Sequence, residues 1–393
     1  MPSRHLVRFA FLALLALAGC STPPPPTLTA ELPLAQAVGM ATDEAVRRME
    51  DGRGLVRLLN RSVPLYVAPV LDATSRQQTA TTVRVRELIA VHLKSQHRGL
   101  ELVPFTAAAA AVSEVRLDTT LTAALLPDGR RATDRLQLDL RFVSLKDGRT
   151  LARSAAAVAD AGLDATPVAF YRESPFTMLP QATDAVTAAG SAGSAPLSER
   201  ERTVPIARLD EAGLAYSAGR YERALTLYRS AETLPGADAM QALVGTYLAS
   251  VRSGREEDAR EAFARIVTLG LKSRAMGVKL LFAPGKTEYI ADVAISKPYP
   301  DWVREIARQA AEVPSCLQVV GHSSRTGAQD YNLALSAQRA GAVRDQLEAA
   351  NPALARRIET AGVGWRENLV GIGSDDLKDA VDRRVEFKVV DCR

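Results

Sequence analysis

The sequence predicts a multidomain α/β chain: an N-terminal α/β domain, a central helical repeat pair, and a C-terminal βαβαβ domain with a mixed sheet. Three observations lead there. The chain of 393 residues exceeds what one hydrophobic core usually organises. Stretches rich in proline or in small residues punctuate it at 20–34 and 181–204. Between those breaks the apolar period changes, from alternating strands, to helical spacing alone, to strand and helix in turn.

Residues 1–19 read as a secretory signal. Arg4 and Arg8 give a basic start, and Phe9 to Leu17 is an apolar run of nine residues, too short for a bilayer core of ~30 Å. Leu17-Ala18-Gly19-Cys20 follows, and it resembles the lipobox of bacterial lipoproteins. The resemblance implies that Cys20 carries the lipid and that Ser21 directs sorting to the outer membrane, facing the periplasm. Residues 20–34, with Pro23 to Pro26 and Pro33, read as an extended tether, reaching at most roughly 45 Å at ~3.1 Å per residue. Without the signal the chain has 47 basic and 45 acidic side chains, too even a balance to point to nucleic acid.

Residues 35–180 read as the first α/β domain. Val63 to Val70 has strand character, Val83 to Leu93 helical spacing, and Leu100 to Val103 is a short strand. Pro127-Asp128-Gly129 joins Val115–Leu126 to Leu136–Leu145, where Leu136, Leu138, Leu140 and Phe142 alternate with polar residues. Lys146-Asp147-Gly148 then turns into Thr150–Val158. With Val67-Ala68-Pro69 ending a strand before a helix, this order is similar to the small domain of CsgG- and FlgO-like envelope lipoproteins. The Ala/Gly/Ser-rich residues 181–204 read as a flexible linker.

From 205 to 272 the chain repeats with a period of 35: Gly219 matches Gly254, Ala224 matches Ala259, and Tyr228 matches Phe263. Gly219-Arg220-Tyr221-Glu222-Arg223-Ala224 resembles a tetratricopeptide repeat, in which glycine makes the turn, alanine admits a close helix approach, and the aromatic ring fills the groove. Two copies fall short of the usual three, so the pair should lean on a neighbour, and it is the natural surface for protein partners.

Residues 276–393 carry the most specific pattern. Val278–Phe282 and Leu317–Val320 read as strands, Asp301 to Ala311 as a helix, and Asp382 to Val389 as an alternating last strand. Between them lie Gly321-His322-Ser323-Ser324-Arg325-Thr326-Gly327 and a helix from Asn332 through Leu335-Ser336 to Arg339-Ala340. The glycine–histidine loop, this helix start and the Arg383-Arg384 entry to the last strand, with Asp382 replacing Asn, resemble the OmpA-like domain over about 115 residues. The resemblance implies peptidoglycan as partner, held at the zwitterionic end of its diaminopimelate. In the family a loop aspartate pairs the ammonium and a helix arginine forks onto the carboxylate. Arg339 stands at the arginine position; Asn332, Leu335 and Arg339 share one helix face, and Gly327 closes the loop. The aspartate position holds Ser324. A hydroxyl in place of a charged acceptor forfeits ~1.5–3 kcal/mol, roughly ten- to 150-fold in affinity, and an aspartate at 324 should recover it. The family topology also brings Cys316 to Cys392, implying a disulfide.

Enzyme chemistry has no footing in the sequence. The histidines His5, His92, His97 and His322 show no metal spacing, Gly362-Val363-Gly364 and Gly371-Ile372-Gly373 lack a nucleotide-loop setting, and Asp375-Asp376 reads as a solvated pair. Neither a metal nor a cofactor is expected. Two functions follow: an outer-membrane lipoprotein docking on peptidoglycan and contributing to envelope integrity, or a scaffold of a secretion, adhesion or motility apparatus that binds little or no peptidoglycan.

Overall fold

The computed structural model describes residues 27–53, 62–177 and 197–392. The signal, Cys20 and most of the small-residue linker lie outside them. The first domain is a curled seven-stranded mixed sheet in the order β1-β7-β6-β5-β2-β4, with β3 also beside β5. Its strands are β1 (Thr27–Leu32), β2 (Val63–Val67), β3 (Leu71–Asp72), β4 (Leu100–Leu102), β5 (Val115–Leu125), β6 (Arg131–Ser144) and β7 (Thr150–Ala159). The β5–β6–β7 meander is antiparallel, while β2 runs parallel to both β4 and β5. The Leu34–Arg53 and Ala80–Gln96 helices bury Val38, Met49, Val85 and Ile89 against Leu65, Leu138, Leu140 and Phe142.

Two expected boundaries move. The tether read at 20–34 is shorter, because Thr27–Leu32 pairs in parallel with β7 and Leu34 opens a helix. That segment has no proline and alternates Leu28, Ala30 and Leu32 with polar residues, which suits the otherwise unpaired edge of β7. The linker read at 181–204 likewise ends early: Ser198 and Glu201 form a capping box that starts the next helix at Glu199.

Four helices follow, Glu199–Ser217, Tyr221–Glu232, Ala239–Arg252 and Glu256–Lys272. Gly219 and Gly254, both with positive φ, make the two matched turns. The helical region shares one core with the C-terminal domain: Phe263 stacks on Trp302 at 5.1 Å, and Trp302 Nε1 donates to the Tyr247 hydroxyl at 3.1 Å.

The C-terminal sheet has four strands where three were read. The order is β10-β9-β11-β8, built from β8 (Lys279–Leu281), β9 (Cys316–Gly321), β10 (Ile358–Gly362) and β11 (Arg384–Val390). β11 lies antiparallel between β8 and β9, and β10 runs parallel to β9. The Tyr299–Glu312 and Gln329–Ala350 helices complete the domain. Val390 pairs with Cys316, which carries Cys392 to the start of β9, and the Cys316–Cys392 disulfide is formed.

Candidate binding site

β9, an interior strand, ends at Gly321, and the Gln329–Ala350 helix seats directly on it. A Cβ at Gly321 would lie 1.9 Å from the Ser336 carbonyl oxygen, so this approach requires glycine. The loop between them, residues 322–328, is held from below. Asn332 Nδ2 donates to the carbonyls of Thr326 (2.7 Å) and Ala328 (3.0 Å). Ser336 Oγ accepts from the Gly364 amide at 2.9 Å.

The face formed by Asn332, Leu335 and Arg339 exists, and it points inward. All three are buried, and Arg339 has no exposed surface. Its guanidinium donates to the carbonyls of Lys286 (2.9 Å), His322 (3.0 Å) and Ala283 (2.9 Å), and lies 5.3 Å from the Phe282 ring centroid. Burial, then the neighbouring Arg383 charge, lowers its pKa to about 10, so it stays cationic at neutral pH. Arg339 and Asn332 therefore form the floor of the loop, and Gly327, at φ +86°, its exposed bend. His322 is buried beneath it; burial pulls its pKa down, and its Nε2 stands 3.3 Å from Glu386 Oε1 without hydrogen-bond alignment.

Ser324 is not without an acid. Its Oγ donates to Asp375 Oδ1 at 2.5 Å, across 51 residues of chain. The solvated reading of Asp375 thus gives way to a specific contact, for which the 365–382 loop is tightly built. Asp382 accepts from the amides of Leu369 (2.7 Å), Val370 (3.0 Å) and Gly371 (2.7 Å). Asp379 accepts from those of Ser374 (2.8 Å) and Asp375 (3.1 Å). Arg383 binds Asp379 at 2.6 Å and the Asp376 carbonyl at 2.8 Å, bracing the loop from within.

The first domain reaches the same rim. Arg325 donates to the Asp128 carbonyl at the tip of the β5–β6 hairpin, and the Arg131 amide donates to the Gly371 carbonyl at 3.1 Å. Chain distance hid these contacts from a reading by motif.

Residues 282–380 match the sequence profile of the OmpA family. Those residues form an OmpA-like domain. Such domains are typically peptidoglycan-binding and belong to the periplasmic side of the cell envelope. Among solved structures, the chain is similar to the peptidoglycan-associated lipoprotein of Burkholderia pseudomallei at 22% identity, covering 28% of this chain and 88% of that one, with a TM-score of 0.25. The OmpA-like domain of FopA1 from Francisella tularensis is 21% identical over 30% of this chain and 73% of that one, with a TM-score of 0.23. The periplasmic domain of Helicobacter pylori MotB is 18% identical over 30% and 82%, also at 0.23. No curated protein matches the chain.

Elsewhere, histidines judged by spacing to be unrelated come together. Asp43 Oδ1 lies 2.6 Å from His92 Nε2 and 2.7 Å from His97 Nε2, a trio of metal-ligand types already joined by hydrogen bonds. His322, Glu367 and Glu386 also converge, but Arg384 already neutralises Glu386 at 2.9 Å. No helix among the described residues is long and apolar enough to cross a membrane.

Proposed function

We propose that this chain is an outer-membrane lipoprotein, anchored through Cys20 and facing the periplasm, that docks on peptidoglycan through residues 276–393 and contributes to envelope integrity. The observation that carries the reading is the OmpA-family match over 282–380, with the glycine–histidine loop seated on a helix that bears Arg339 beneath it. Arg339 acts from the floor, as a positive charge under the loop, and the ligand meets the loop surface above it. The central helices are read as tetratricopeptide-like repeats that recruit protein partners, and the first domain as CsgG/FlgO-like. The reading assigns the site to binding and not to catalysis.

Sedimentation of the purified chain with sacculi tests the docking: it should pellet with them and stay soluble alone. Cys20→Ala should abolish outer-membrane fractionation, and a variant that fractionates as the wild type does removes the anchor. The scaffold reading draws on the hairpin contact at the loop rim, where Asp128 and Arg325 already engage one another. It takes over if sacculi retain no protein.

A further inference from the structure

We infer that Asp375 supplies the carboxylate that pairs the ammonium group of the wall peptide, taking over from the loop position now held by Ser324. The inference rests on the peptidoglycan reading and specifies how this chain would meet a zwitterionic diamino-acid end.

The acid is delivered to the position the loop lacks. Ser324 is buried and its hydroxyl holds Asp375 Oδ1 at 2.5 Å, leaving Oδ2 without a hydrogen bond from any described residue. The Asp375 side chain keeps 30% of its surface exposed, so that oxygen can be reached from solvent. The approach is built into the backbone. Gly373, at φ +69°, sits so close to the Arg325 carbonyl oxygen that a Cβ would fall 2.9 Å from it. Asp375 itself adopts a left-handed φ of +54°, held there by Asp379. Arg383 Nη1 also donates to Oδ1, at 3.4 Å, while its shorter contact, 2.6 Å, is to Asp379; both contacts to Asp375 therefore fall on Oδ1 and leave Oδ2 open. The backbone amides of residues 324–327 donate to no described residue, which leaves donors for the carboxylate end of the same ligand. A serine that orients a carboxylate from a second loop thus stands where one loop aspartate would otherwise do both jobs.

The full mature chain and sacculi from a diaminopimelate-containing wall provide the test, with free diaminopimelate as competitor. Asp375→Asn should weaken sacculus binding tenfold or more with an unchanged melting temperature. Ser324→Asp on the Asp375→Asn background should restore it. Ser324→Asp alone should bring no gain, because two carboxylates would then crowd one site. Wild-type binding with an unaffected Asp375→Asn variant overturns the assignment and leaves wall docking intact. Loss of binding that the second substitution does not rescue makes Asp375 a loop brace only, which also overturns it. A wild-type chain that ignores sacculi removes the wall reading itself, and the assignment with it.

Discussion

Two buried arginines, one where the first domain meets the central helices and one beneath the 322–328 loop, use their guanidinium groups in opposite ways. Arg86 meets a carboxylate: Nη1 and Nη2 lie 2.9 and 2.6 Å from the two oxygens of Asp210, and Tyr66 donates to the same acid at 3.1 Å. Arg339 hydrogen-bonds only to carbonyls, and no carboxylate among the described residues pairs with it. The first is a closed charge pair that clamps two domains. The second leaves a positive charge uncancelled under a surface loop. Burial alone therefore does not set how an arginine is used; what its guanidinium meets does.

The largest effect should come from opening the closed pair. Asp210→Ala leaves Arg86 buried and unpaired, a loss of about 3–5 kcal/mol. Thermal unfolding should show it, and a melting curve superimposable on the wild type would remove the clamp. At the second arginine, Arg339→Lys keeps the charge and loses the fork. Lysine cannot reach three carbonyls in one plane, so about 1–3 kcal/mol of stability should go. Sacculus binding should largely survive, because the charge under the loop is kept. If binding is lost while the fold stays intact, the fork and not the charge serves the ligand, and the contrast with Arg86 narrows.

The smallest effect should have the opposite sign. Lys279 on β8 is buried and donates Nζ to the Tyr171 carbonyl at 3.1 Å. Burial, helped by Arg384, lowers its pKa from 10.5 to about 7. Between those values the unfolded chain binds the proton that the fold does not. Stability therefore rises with pH across that window, and the full penalty applies below it. Lys279→Met should raise the melting temperature near neutrality by a few degrees, and the gain should vanish by about pH 10. A gain independent of pH would mean that the ammonium was never destabilising.

The contrast between local and distant pairing also decides what the sequence disclosed. The β6 alternation of Leu138, Leu140 and Phe142 is a signal carried on adjacent residues, and it was legible. The glycine–histidine loop and the helix start at Asn332 were legible for the same reason. The Leu34–Arg53 helix was not singled out, because Ala37, Ala41 and Ala45 alternate with Val38, Val46 and Met49 on its buried face and thin the apolar stripe beside a proline run. β10 escaped because Ile358–Gly362 is a half-buried edge strand with little apolar contrast. In the sequence Asn332, Leu335 and Arg339 read as one helix face beside the loop with Arg339 meeting ligand, and nothing local says that this face turns inward and spends the guanidinium on carbonyls. Asp375 reads there only as half of a solvated pair. Its contact with Ser324 comes from a glycine-dependent approach of two loops and a left-handed backbone, neither of which leaves a periodic trace.

The parallel pairing of β1 with β7 has a mechanical consequence on the proposed anchoring. Thr27 enters the sheet seven residues after Cys20, a leash of only roughly 22 Å at ~3.1 Å per residue. The distance from the lipid to the wall must then be spanned chiefly by the folded body. Tension from the membrane would load the hydrogen bonds along β1 together, in shear, instead of opening them one at a time. From β7 the load path runs through the meander to the β5–β6 hairpin, which already touches the 322–328 loop at Arg325 and the 365–382 loop at Gly371. A pull on the membrane would therefore be felt at the rim of the binding site.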